Sequence, residues 1–275
     1  MFNPERNLQK QERVGERYHF PEIERFEIPL KEIVLQMKSE IENGVYRALL
    51  GDDIGGRIPT LILEKIIKEK SSQGNVSMFF VAGGHGMPGR KNFVGSYDDF
   101  YFDDSCYVSS EEDEERIRYE MNSDSEKEKI NTLKKYLNEN IDQYGHGRVL
   151  ICSEYAHFGN TLIAFGKYLE QISADPFDIM SLGILNKEEL QSRFPYSKIF
   201  SAGFSSPEGS DGQYLKSLRE ALGVKKRTSN EEYLPHAEDI MDENEIQQSI
   251  IEENRKKLNE DIEKLSKKII CDVWM

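Results

Sequence analysis

Short runs of consecutive apolar residues alternate along this chain with stretches in which apolar positions recur every three or four residues. The runs at 45–50, 76–82, 149–152, 177–185 and 197–204 have the length of buried strands, and continuous burial on both sides marks a parallel sheet. Helical periodicity lies between them. Residues 30–42 place Ile33, Val34, Met37 and Ile41 on one face, and Asn43-Gly44 is a stop signal. Residues 60–70 place Leu61, Leu63, Ile66 and Ile67 on one face, with Pro59 in the first turn. A further helix starts at Asn160 or Thr161 and carries Leu162, Ile163, Phe165 and Leu169. The alternation predicts an α/β fold, a mainly parallel sheet with helices on both faces.

The remaining segments are less regular. Residues 25–28 read as a short edge strand ended by Pro29. Residues 111–122 and 125–140 read as charged, solvated helices, the second with Ile130, Leu133, Tyr136 and Leu137 as its apolar positions. A short helix is expected at 213–222. A long one is expected at 243–270, with Ile246, Ile250, Leu258, Ile262, Leu265 and Ile269 as its stripe. That stripe suits packing on its own domain, with homodimerisation the alternative. The organisation is therefore an N-terminal segment and helix (1–43), a core (44–204) with a hood or insertion at 83–140, and a helical C-terminal extension (205–275).

Two strand-loop-helix units stand out. One is RVLICSEYAHFGNTL (148–162), the other GDDIGGRIP (51–59). In an open parallel sheet ligands bind outside the carboxyl ends of strands, and the free N–H groups opening a helix suit a phosphate. The glycine pair Gly55-Gly56 permits close backbone approach. A third glycine-rich stretch, Gly83 to Gly89, precedes the adjacent cations Arg90 and Lys91.

Composition narrows the classes. A net charge of −14 over 275 residues disfavours general nucleic-acid binding, which needs basic surface. Three widely spaced cysteines, Cys106, Cys152 and Cys271, have no metal-ligand spacing and argue for a reducing, cytoplasmic setting. The polar first residues lack the pattern of a signal peptide. No apolar run is long enough for a membrane span. Asp98-Asp99 and Asp103-Asp104 are interleaved with aromatics, and no dedicated protein metal site is expected.

Taken in order, the two loops resemble the type I phosphoribosyltransferase family. Its motif V-L-[IL]-V-[DE]-D-x-x-x-T-G-x-[TS] binds phosphoribosyl pyrophosphate (PRPP). Val149, Leu150 and Ile151 match the strand, Ser153 and Glu154 occupy the acidic-pair positions, Gly159 matches the glycine and Thr161 the final hydroxyl. Gly55-Gly56-Arg57-Ile58-Pro59 is similar to the family's pyrophosphate loop. The resemblance spans roughly 44–204. It implies a glycosyltransferase binding PRPP or a related phosphoribosyl ligand, with Mg²⁺ carried on the pyrophosphate. It departs from the pattern at three places: Ser153 replaces the first acid, His157 stands where many members have an acidic base, and Phe158 replaces a threonine.

The resemblance implies that Glu154 and His157 are the residues for the chemistry. Ser153, Glu154, Phe158, Gly159, Asn160 and Thr161 would hold ribose and 5′-phosphate. Gly55, Gly56 and Arg57 would hold pyrophosphate, with Arg90 and Lys91 as hood cations. The physical demands agree: ribose hydroxyls suit a carboxylate acceptor, and a pyrophosphate needs amides and cations. Two other classes remain open. One is a non-catalytic module sensing PRPP or a nucleotide, motivated by Ser153 and Phe158. The other is an interaction protein that works through its acidic helices.

Overall fold

A computed structural model of the chain describes residues 17–52, 56–81, 124–141, 147–156, 160–172, 176–203 and 245–275. Five strands form one sheet: β1 (Tyr46–Asp52), β2 (Ser77–Val81), β3 (Arg148–Ala156), β4 (Phe177–Ile184) and β5 (Ile199–Ser201). Their order is β2-β1-β3-β4-β5, and all four pairings are parallel. The α/β class expected from the alternating pattern is therefore what the chain adopts.

Helices cover both faces. One face packs against α2 (Glu27–Gln36), α4 (Arg57–Lys70) and α8 (Glu245–Trp274), with α1 (Pro21–Glu24) and α3 (Lys38–Glu42) beside them. Its strand contributions are Tyr46, Leu49, Leu150, Cys152, Met180, Leu182 and Phe200. The other face packs against α5 (Asp124–Ile141), α6 (Asn160–Ile172) and α7 (Lys187–Arg193), and there Leu50, Phe79, Val81, Ile151 and Ile179 point inward. Alternate residues of each strand thus serve opposite cores, which is why the strand sequences are apolar without a break.

Several local expectations change. Residues 25–28 are not an edge strand, because α2 already begins at Glu27 and Pro29 lies in its first turn. Pro needs no N–H donor there and its fixed φ suits a helix. The helix expected at 30–42 is two helices separated at Met37, whose φ of −94° and ψ of 1° leave the helical region. It stops where Asn43-Gly44 signals: Gly44 adopts φ 64°, Gly44 N donates to Ile41 O and Val45 N to Glu40 O, a Schellman closure. β3 is longer than its apolar run and carries Ser153, Glu154 and Tyr155 within the strand. β5 is limited to three residues. The segments at 111–122 and 213–222 lie outside the described residues.

In α8 the buried stripe is Ile251, Leu258, Ile262, Leu265 and Ile269, whereas Ile250 is 52% exposed. Spacings of seven, four, three and four keep the buried set on one side, and Ile250 falls about 100° away. No described helix is long and apolar enough to cross a membrane.

Candidate functional site

The strand order reverses direction between β1 and β3, since the chain goes from β1 outward to β2 and then returns to the far side of β1. At such a point adjacent connections leave toward opposite faces and open a crevice at the carboxyl ends of the two strands. Those ends are Asp52 and Ala156, and the next helices, α4 and α6, begin at Arg57 and Asn160. The two loops singled out by their sequence therefore leave neighbouring strands on the same edge.

Gly56 comes close to the β3 backbone. A Cβ built on it would lie 2.2 Å from Cys152 O, 2.6 Å from Asp52 N and 3.0 Å from Asp52 O. Its φ of −90° is open to any residue, so glycine is required here by proximity to the β3 backbone. Gly56 N donates to Asp52 O at 2.6 Å, and Gly56 O accepts from Thr60 N at 3.0 Å and Thr60 Oγ1 at 2.5 Å. Gly56 is thus tied to both the strand before it and the helix after it.

Arg57 follows directly. Its guanidinium carbon lies 4.6 Å from the centroid of the Phe80 ring at the end of β2. Helices α4 and α6 have no acid in their first turns, whereas α1, α2, α3 and α7 all do. A first turn without an acid leaves the positive end of the helix dipole without the stabilising carboxylate that those other helices supply from within, the setting in which a helix start takes a phosphate.

On β3, Ser153 and Glu154 are neighbours with opposite fates. Ser153 is 3% exposed and faces the core that holds α6. Glu154 is half-buried on the α4 side, its carbonyl accepting from Ser181 Oγ at 3.5 Å. Cys152, beneath the Gly56 loop, is fully buried, and burial pushes its thiol up to about 12, opposed by a hydrogen bond with Thr60. The backbone of Asn160 and Thr161 opens α6, while their side chains lie outside the described residues. Outside them too are Gly55, Arg90, Lys91, His157, Phe158 and Gly159. The described geometry thus brings Gly56, Arg57, Glu154 and the start of α6 to one edge, while the Ser153 side chain turns into the core. Among the described residues no group of three or more His, Cys, Asp or Glu is placed to hold a metal ion.

The opposite edge carries a buried charge network that the sequence reading did not find. Asp178 is fully buried and accepts from Arg148 Nε at 2.8 Å, Arg148 Nη2 at 2.5 Å, Tyr46 Oη at 3.0 Å and Lys198 N at 2.7 Å. Burial, and then the Asp178 carboxylate, push the Tyr46 phenol far above its ordinary range. This clasp ties β1, β3, β4 and the approach to β5 at their amino ends, away from the crevice. A concavity of about 620 Å³ between α4 and α8 shares no residue with either edge, and its Lys65 is paired with Glu263 at 2.8 Å.

Comparison with family models, with curated proteins and with solved structures returned no match for this chain.

Proposed function

We propose that the chain is a phosphoribosyltransferase-like protein that binds PRPP, or a related phosphoribosyl ligand, across the carboxyl ends of β1 and β3. The observation that carries this reading is the strand order. It makes β1/β3 the crevice of the sheet, and the two motif-bearing loops leave those two strands there. The contact of Gly56 with the β3 backbone and the acid-free first turns of α4 and α6 support it.

In this reading the bond from the anomeric carbon to pyrophosphate breaks, and the pyrophosphate departs with the electron pair. An acceptor lone pair bonds to the same carbon, and the acceptor's proton passes to a base. No protein nucleophile is required; holding both partners in line and neutralising the departing charge lower the barrier. Glu154 accepts from the ribose hydroxyls, amides opening α6 take the 5′-phosphate, and Arg57 with the α4 start takes the pyrophosphate. His157 is the base in this scheme. Mg²⁺, when bound, offsets pyrophosphate charge. Glu154 and Asp52 are the described carboxylates at this edge, hard donors of the kind it takes beside phosphate oxygens.

The test is calorimetric binding of PRPP with Mg²⁺, joined to pyrophosphate release across a panel of nitrogen acceptors. Binding and turnover are expected, with Glu154→Ala weakening PRPP about tenfold or more, the scale of one lost charged hydrogen bond. Neither binding nor release with any acceptor overturns the reading. A second reading has one observation of its own: Ser153 replaces an acid and is buried, which leaves Glu154 as the single carboxylate of the pair. A sensor of the same ligand then binds PRPP and gains thermal stability from it, yet releases no pyrophosphate.

A further inference from the structure

We propose that Phe80 is the positioning residue for Arg57, presenting its guanidinium to the pyrophosphate end of the ligand. The inference rests on the phosphoribosyl reading of the same crevice. Phe80 pairs with Gly51 across β1 and β2. A Cβ on Gly51 would lie 2.6 and 2.7 Å from Cδ1 and Cε1 of the Phe80 ring and 2.8 Å from Thr60 Oγ1. The ring therefore occupies space that only a glycine leaves open. Arg57 lies over that ring at 4.6 Å. Gly51, Phe80 and Arg57 form a stack on the α4 side of the sheet, one turn before Thr60 anchors the helix to Gly56 O.

The end of β2 is fixed from the other side. Tyr136 of α5 donates its hydroxyl to Phe80 O at 3.0 Å, and its ring meets Phe79 edge-on at 6.3 Å. The platform under Arg57 is thus tied to both layers of helices. An arginine at a helix start has many rotamers to give up on binding. A cation held by the negative face of an aromatic ring has lost part of that freedom in advance. A guanidinium lying over a ring keeps its N–H donors in its own plane, at the rim, where a phosphate is bound in bidentate fashion. The arrangement differs from simple core packing because a leucine at 80 would keep an apolar side chain over Gly51 but would offer no ring face to the cation.

The experiment uses the full chain and inorganic pyrophosphate with Mg²⁺ as the probe. Affinity is measured for wild type, Phe80→Leu and a protein with pentafluorophenylalanine at position 80, which keeps the ring's shape while reversing the sign of its face. Each is measured also in an Arg57→Ala background. Both changes at 80 are expected to weaken pyrophosphate about fivefold, the scale of a partly desolvated cation–π contact, and to have no effect once Arg57 is alanine. Phe80→Tyr should bind as wild type. Unchanged affinity with the fluorinated ring overturns the inference, as does a loss that persists without Arg57. Wild type failing to bind pyrophosphate or PRPP defeats the reading of the crevice itself, and the inference with it. Wild-type binding with no response at 80 defeats the inference alone.

Discussion

Gly56 and Cys152 show how little room the crevice leaves beneath its floor. The Cβ of an alanine at 56 would meet a strand carbonyl at 2.2 Å, and a backbone oxygen in the centre of a sheet cannot swing aside as a side chain can. Gly56→Ala is therefore expected to cost about 1–3 kcal/mol, the usual range for overpacking, read as a lower urea midpoint with unchanged slope. The same enclosure governs Cys152. Burial pushes its thiol up from the ordinary 9.0 to about 12, so the folded state holds the proton more tightly. Stability from this source is whole below pH 9 and is lost as the pH rises from 9 toward 12. In a Cys106→Ser/Cys271→Ser background, maleimide should label Cys152 only as fast as the protein unfolds. Labelling of native protein at neutral pH, faster than unfolding, would contradict its burial.

At the scale of elements, a charge network closes the sheet at the amino ends of its strands, while the crevice proposed for the ligand lies at the carboxyl ends. Asp178 is buried with Arg148, Tyr46 and Lys198 N as donors, so removing the carboxylate strands the buried Tyr46 phenol and leaves the half-buried Arg148 guanidinium only the carbonyls of Phe177 and Tyr196. Asp178→Ala is expected to lose about 3–5 kcal/mol in chemical denaturation, and Asp178→Asn less, because an amide oxygen still accepts. Strands were readable because parallel strands buried on both faces are apolar runs, and β1, β2, β3 and β4 lie where those runs are. Residues 25–28 misled because Phe26 and Ile28 alternate like a strand, while the true period is Ile23, Phe26, Leu30 and Ile33, with Ile28 exposed. The α7 helix had a signal that went unread. Asn186 Oδ1 accepts from Glu189 N at 3.2 Å, and Glu189 reaches back to the Asn186 side chain, a capping pair spaced three residues apart. Glycine loops after strands were legible as motifs. The Asp178 clasp and the Phe80–Arg57 stack were not, because each joins residues from separate strands and helices, and only the strand order brings them together.

For the whole molecule the decisive element is α8, a mostly polar helix that nonetheless completes one face of the core. Ile262, Leu265 and Ile269 are fully buried against α4 and α2. Around them run ion pairs far apart in sequence: Lys31 with Asp272 at 2.8 Å, Lys65 with Glu263 at 2.8 Å and Lys268 with Glu27 at 2.6 Å. Trp274 Nε1 donates to Glu42 at 2.8 Å, and His19 N and Phe20 N donate to the buried Asp261 carboxylate. Exposed pairs of this kind contribute at most about 1 kcal/mol each, so apolar burial holds the helix and the charges set its register. Leu265→Ala is accordingly expected to cost about 2–5 kcal/mol, and Lys268→Ala less than about 1 kcal/mol. The two should differ at every salt concentration, and only the lysine variant's effect should shrink as salt rises. Because α8 packs on α4, and α4 begins with Arg57, the loss reaches the crevice as well. Removing residues 245–275 should give a chain that keeps far-ultraviolet helix signal but binds a hydrophobic dye and melts without cooperativity and, on the proposed reading, does not bind pyrophosphate. A truncated chain that melts cooperatively and binds pyrophosphate as the full chain does would show that α8 is an appendage to the domain and not part of its core.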